Sequence, residues 1–387
     1  MQDHIAVKSS LAERLVTEIL TPLKEEFIDK DEVIDLLGVC LAGGEHLFIL
    51  GPPGTAKSAL VQAMARRIEG RVFDYLLTRF TEPNELFGPF DIRKLRDGEL
   101  VTNTEGMLPE ASLVFLDELL NANSAILNSL LMVLNERVFR RGRETRRLPL
   151  LMVVGASNRL PEDDALNALF DRFLLRVRCD SVGDERLADV LAAGLKLELE
   201  SRSTQPTLSV HDLHTLQRQL VGVDVAAVRG DYVRVVQQLR KAGIAFSDRR
   251  AVKLQRLIAA SALICGRSSA NATDLWVLRY IWDTEDQREV VAAIVQPAVD
   301  AAHEIESAGS HPRARIQGGP DPEELARDLE RLEQQWKVAD HDEARQSVLR
   351  DQLSLLASRC QWIADAQKRT FLDDRARTLW QQQGLPP

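Results

Sequence analysis

Eight residues, Gly51-Pro52-Pro53-Gly54-Thr55-Ala56-Lys57-Ser58, carry the clearest chemistry in the chain. Glycines in such a loop let successive backbone N–H groups converge on a phosphate at the positive end of a helix. Lys57 would reach β- and γ-phosphate oxygens as a mobile charge, and the Ser58 hydroxyl would ligate magnesium. The flanks agree with this chemistry. His46-Leu47-Phe48-Ile49-Leu50 is an apolar run of strand length, and Ala59 to Arg67 has the pattern of a helix. The usual spacing has glycine where this chain has Ala56, and a methyl group there restricts the loop. Phosphate binding with slow turnover is the expectation.

Further residues complete the set. Leu113-Val114-Phe115-Leu116-Asp117-Glu118 reads as a buried parallel strand that delivers two carboxylates at its end. Asp117 suits the magnesium shell, and Glu118 suits polarising an attacking water. A third buried strand, Leu150 to Ala156, closes with Ser157-Asn158, whose amide can orient that water and sense the γ-phosphate. Arg172, at the end of a predicted helix in Asn167 to Phe173, is a candidate arginine finger for a neighbouring subunit, the competing role being a salt bridge to Asp171. Ser247 or Asp248 can cap a helix whose first turn holds Arg249 and Arg250, either able to point at the nucleotide. His211 and His214 lie three apart beside Asp212, but with no second ligand pair they read as helix surface and not as a metal site.

In this order the motifs resemble an AAA+ ATPase, and within that superfamily the MoxR family, most closely its RavA-like branch. The resemblance runs over about residues 10 to 285 and rests on Gly51 to Ser58, Phe115 to Glu118, Ala156 to Asn158, Asp171 to Phe173 and Ser247 to Arg250. It implies a P-loop α/β core with a parallel sheet, an all-α lid, ring-shaped hexamers and ATP hydrolysis at subunit boundaries. It also implies chaperone-like work with a partner bearing a von Willebrand factor A (VWA) domain. RavA-like chains are similar in carrying alanine at the position of Ala56, and the family pattern favours Arg249 over Arg250 as the sensor of the γ-phosphate.

Two inserts fit this placement. Thr81 to Phe90 and a probable turn at Asp97-Gly98-Glu99 resemble the family's second-helix insert, which faces the ring pore. Glu136 to Arg147 alternates around Gly142 as a hairpin and holds six arginines. They are readable as a basic ring gripping an acidic client or nucleic acid, or as a solvated hairpin whose arginines pair with carboxylates on a neighbouring subunit.

The whole chain sets bounds on these readings. Its 387 residues allow two or three domains, and 49 Lys+Arg against 58 Asp+Glu give a net charge of -9, which makes nucleic acid an unlikely partner. No apolar stretch reaches the roughly 18 residues of a membrane span, and Met1-Gln2-Asp3-His4 does not open like a signal peptide, so a cytoplasmic protein is expected. Four scattered cysteines support neither a zinc ribbon nor a disulfide framework.

The expected domains are a nucleotide-binding core with an N-terminal helix (1–180), a helical lid without further strands (181–286) and a C-terminal three-helix bundle (287–387). The bundle's helices are marked by Val291, Ile294, Val295 and Val299, by Leu325, Leu329, Leu332 and Trp336, and by Leu349, Leu353, Leu356, Cys360 and Ile363. A turn-rich loop from Ser307 to Pro320 joins the first two, where RavA-like chains insert a β-rich domain. The functional expectation is an ATP- and magnesium-dependent remodelling chaperone, working as a homo-oligomer with a VWA-domain partner on protein clients. A nucleic-acid translocase and a nucleotide-dependent scaffold with little turnover are the alternatives.

Overall fold

The computed structural model describes residues 10–382 apart from 97–99, 142–143, 162–163, 201–204, 304–308, 316–321, 339–342, 362 and 364. The expected turn at 97–99 and the tip of the arginine hairpin at Gly142 therefore lie outside the described residues. The apolar run before the phosphate loop is a strand, β1 (Leu47–Leu50), buried at every position. The later strands are β2 (Ile68–Glu69), β3 (Val72–Leu76), β4 (Leu113–Asp117), β5 (Val138–Arg141), β6 (Glu144–Arg147), β7 (Met152–Ser157), β8 (Leu175–Arg178) and β9 (Leu208–Ser209).

Five of them form one parallel sheet in the order β3-β4-β7-β1-β8. Its central strands are continuous apolar runs because helices cover both faces, leaving no position free for a polar alternation. At the edge, β3 is partly exposed, with Phe73 turned inward between exposed Val72 and Asp74, and so lacks the apolar run that marks its neighbours.

Parallel pairing gathers the strand ends. Gly51, Glu118 and Asn158 follow β1, β4 and β7 at the carboxyl edge, while Leu174 and His46 precede β8 and β1 at the amino edge. Strands of this length separate the two edges by roughly 13–20 Å.

One hydrophobic cluster runs from Ala12 in the N-terminal helical segment through the sheet and the later helices to Ala314. The helix Gln287–His303 belongs to it: Val291, Val295 and Val299 are buried in this cluster against the stretch Ala272–Tyr280. That corrects the expectation that these valines line the C-terminal bundle. The bundle consists instead of Pro322–Val338, Glu343–Cys360 and Ala366–Gln382, which bury Leu329, Leu353, Leu372 and Ala376 in a second cluster. Ile363 lies beyond the end of its expected helix but is buried in the same cluster.

The loop before the bundle is more than a connector. Its described part, 309–315, carries a short helical turn, Pro312–Arg315, that docks on the body. His311 stacks on Trp276 at 4.5 Å between ring centroids, and Arg313 Nε donates to Asp35 Oδ2 at 2.8 Å. A small departure also occurs after the core, where β9 pairs in parallel with β2 in a region expected to lack strands. No described helix is long and apolar enough to cross a membrane.

Candidate nucleotide site

The phosphate loop is shaped by close backbone approach. Gly51 N–H donates to the Ser157 carbonyl at 3.0 Å, and a Cβ on Gly51 would stand 2.2 Å from the Cys179 carbonyl oxygen, so any side chain is excluded there. Gly54 takes a left-handed backbone with φ +81°. Thr55 Oγ1 donates to the Pro52 carbonyl at 3.0 Å, which braces the loop across its two prolines. Ala56 is also left-handed (φ 65°, ψ 19°), directly before the helix Lys57–Arg66. That conformation costs an L-residue about 1–2 kcal/mol. The chain thus keeps the backbone form that glycine would give, at the expense of local strain.

Lys57 is buried and folds its ammonium into the curl, donating to the carbonyls of Gly51 at 2.8 Å and Pro52 at 2.7 Å. Beside it, Ser58 Oγ donates to Asp117 Oδ2 at 3.3 Å, which joins the two expected magnesium ligands across 59 residues of sequence. A hydroxyl and a carboxylate are hard oxygen donors of the kind magnesium accepts, usually with water and substrate phosphates filling the rest of the shell. Asp117 Oδ1 also accepts from the Glu118 N–H at 2.9 Å.

Glu118 sits in the left-handed region (φ 50°), a strained setting for a residue with a long side chain. Burial, and then the charge of Asp117, push its carboxyl above the usual glutamate range against the pull of Lys57 and Arg159. Such a carboxylate is more basic than usual. Asn158 is exposed at the same edge, one residue beyond the Ser157 carbonyl that anchors Gly51.

Arg159 was not singled out from the sequence. It faces Glu118 electrostatically and donates to Asn121 Oδ1 at 3.3 Å. Its place directly after Asn158, at the end of a strand beside the carboxylates, is the signal that could have found it.

The remaining expected residues lie elsewhere. Arg172 stands before β8, at the amino edge, with Nη1 3.1 Å from Asp171 Oδ2. The pairing considered as its alternative role is therefore present. Arg249, one residue into the helix Asp248–Ile264, donates to Asn135 Oδ1 in the last turn of the helix Ser124–Glu136. That turn is also at the amino edge, since the Leu134 carbonyl is hydrogen-bonded to His46 just ahead of β1. Arg249 thus lies at the sheet edge opposite the phosphate loop of its own chain.

Arg172 and Arg249 are close enough to affect each other: burial and then the charge of Arg249 lower the Arg172 pKa. Arg250 is buried and bonded to Asp283 and to the carbonyls of Ala245 and Ile281. It is a structural residue and no substitute for Arg249.

The arginine hairpin is antiparallel, with Val138 opposite Arg147. Arg137 caps the preceding helix in a left-handed conformation and donates to the carbonyls of Leu150, Leu151 and Gly44. Arg140 pairs with Glu136, Arg141 bonds the Gly88 carbonyl and lies 3.9 Å from the centre of the Phe90 ring, and Arg146 bonds Thr104. Much of the basic charge is therefore bonded within the chain itself. Among the described residues no group of three or more His, Cys, Asp or Glu gathers as a metal cage.

Known proteins place this architecture. Residues 13–218 match the model of the MoxR domain of MoxR-vWA-beta-propeller ternary systems. The chain belongs to the MoxR family of AAA+ ATPases. An AAA lid domain matches residues 225–295, reaching into the helix Gln287–His303 that packs on the body. An uncharacterized protein of Methanocaldococcus jannaschii is 36% identical over 70% of this chain and 73% of its own length. The chaperone MoxR1 of Mycobacterium tuberculosis is 26% identical over 62% of each. A crystal structure of a candidate ATPase from Cytophaga hutchinsonii aligns with a TM-score of 0.60 at 17% identity, covering 74% of this chain and 94% of the other, and shows the same fold.

Proposed function

We propose that this chain hydrolyses magnesium ATP as a ring oligomer, most simply a hexamer, and couples hydrolysis to remodelling of protein complexes with a VWA-domain partner. The observation that carries the reading is the meeting of Lys57, Ser58, Asp117 and Glu118 at one sheet edge, while Arg172 and Arg249 stand together at the other. The partner is inferred from the ternary systems for which the matching family is named, and the chaperone role from MoxR1. The RavA-like placement rests on the motif order and on Ala56. Four free cysteines, three of them buried, suit a reducing cytoplasm.

In this mechanism the loop amides and Lys57 hold the β- and γ-phosphates, and Ser58 and Asp117 hold magnesium, which would neutralise charge on the phosphate oxygens. Glu118 takes a proton from water as the water oxygen bonds to the γ-phosphorus and the bond to the β–γ bridging oxygen breaks, giving ADP and phosphate. Asn158 orients the water. Arg172 and Arg249 of the adjacent subunit approach the γ-phosphate, because a strand length separates them from their own loop. The nucleic-acid alternative is weakened by the internal bonding of Arg137, Arg140, Arg141 and Arg146. The scaffold alternative loses ground because Ala56 holds the glycine-like backbone.

Phosphate release from magnesium ATP tests the proposal. Glu118→Gln should lower turnover by about 10²–10⁴-fold with nucleotide binding retained. Wild-type turnover in that variant would remove Glu118 from the role. Because the Glu118 carboxyl titrates above its ordinary range, the acid limb of the pH–rate profile should lie above the ordinary glutamate value of about 4.3. The native state also binds that proton more tightly than the unfolded chain. Its contribution to stability is present at low pH and lost as pH rises through the raised pKa, so Glu118→Gln should melt higher than wild type at neutral pH.

A further inference from the structure

Behind the amino edge, two buried arginines gather around a partly exposed aspartate. Arg176, on β8, is fully buried, and its Nη2 lies 3.1 Å from Asp283 Oδ1. Arg250, in the first turn of the helix Asp248–Ile264, is also buried and places Nη1 3.2 Å from both Asp283 oxygens. Both guanidiniums bond the Ile281 carbonyl as well. Two arginines, one from the core sheet and one from the matched lid region, thus converge on one carboxylate, and the Nε of each is buried without a hydrogen-bond partner.

Their positions in the chain give the cluster its meaning. Arg176 Nη2 donates to the Phe170 carbonyl at 3.1 Å and its guanidinium lies 4.3 Å from the centre of the Phe170 ring, which fixes the turn that holds Arg172. Arg250 follows Arg249 directly. Arg172 and Arg249 carry like charge, and burial and then the charge of Arg249 lower the Arg172 pKa, so the turn and the lid helix meet against a mutual repulsion. Asp283 ties the two elements together one layer below.

We propose that Asp283 is a positioning residue that clamps core strand to lid helix and so presents Arg172 and Arg249 together to the γ-phosphate of an adjacent subunit. This rests on the reading of those two arginines as acting across a subunit boundary. Asp283 itself touches no nucleotide. Its loss should therefore impair the subunit that lends the arginines and spare the phosphate loop of the same chain.

Mixed-ring complementation reads that distinction. Full-length Arg172→Ala, Glu118→Gln, Asp283→Asn and Asp283→Glu chains are assayed for ATP turnover alone and as equimolar pairs, with binding of a fluorescent ATP analogue measured on each. Alone, Asp283→Asn should lose about 100-fold in kcat at unchanged analogue affinity, the effect of a misplaced reacting group. Mixed with Glu118→Gln it should regain turnover, because the intact loop of one chain meets the intact arginines of the other. Mixed with Arg172→Ala it should not.

Wild-type turnover of Asp283→Asn, or recovery with Arg172→Ala and not with Glu118→Gln, would overturn the proposal. If Arg172→Ala and Glu118→Gln fail to complement, the cross-subunit reading falls and the clamp's role with it. If they complement and Asp283→Asn does not complement Glu118→Gln, the clamp alone falls. Should Asp283→Asn not fold, Asp283→Glu, which keeps the charge and moves it by one methylene, decides by the same pairings. A reduced kcat rescued by Glu118→Gln supports the clamp, and a reduced kcat that only Arg172→Ala rescues rejects it.

Discussion

At the carboxyl edge of the sheet, Lys57, Ser58, Asp117 and Glu118 come within reach of one another and of one loop. At the amino edge, two arginines crowd together beside Asp171 and Asn135, with no phosphate loop near them. The first edge is a site that a single chain can form. The second gathers positive charge one strand length away from the phosphates it would serve. In the proposed function, groups suited to one reaction but held apart by the span of a sheet are united by a second copy whose opposite edge completes the set.

The largest expected effect that would break this contrast is on Arg172. Arg172→Ala should reduce ATP turnover by about 10³-fold, the range of an arginine finger, with binding of an ATP analogue unchanged. Lost analogue binding with monomeric protein would mean that Arg172 serves its own loop.

Arg137 sharpens the contrast from the other side, being an arginine spent on the fold. It is largely buried against three carbonyls, so Arg137→Ala should cost on the order of 2–4 kcal/mol in denaturant unfolding with turnover per folded chain retained. An unchanged unfolding midpoint would show that those contacts do not support the hairpin.

Ala56 gives the smallest effect. Glycine removes the left-handed penalty but frees the unfolded chain, so Ala56→Gly should stabilise the protein by about 1 kcal/mol or less, with turnover within a few-fold of wild type. A large gain in turnover would show instead that the methyl restrains catalysis.

The carboxyl edge was legible in the sequence because its signals are local: an apolar run, then a residue type at the strand end, repeated for β1, β4 and β7. The rest depended on contacts that spacing does not encode. A 3.6-residue period says that Val291, Val295 and Val299 share a buried face but not which surface covers it, and the body claimed them in place of the bundle. The helix Ala366–Gln382 went unread because Leu372, Ala376 and Leu379 are thinly spread among charged residues. The cap at Ser247 is readable in the sequence, whereas the sheet edge met by that helix is not, so spacing does not say whose nucleotide Arg249 faces. Arg140, Arg141 and Arg146 read either as a basic ring or as partners for a neighbouring subunit's carboxylates, since their partners in this chain lie on other segments or a helical turn away.

If one edge of each chain completes the site of another, ATP turnover per subunit in magnesium depends on protein concentration. Specific activity should climb steeply with concentration and then level off, with Arg172→Ala flat and low throughout. Wild-type activity that is high and independent of concentration down to dilutions where the protein is monomeric would contradict it.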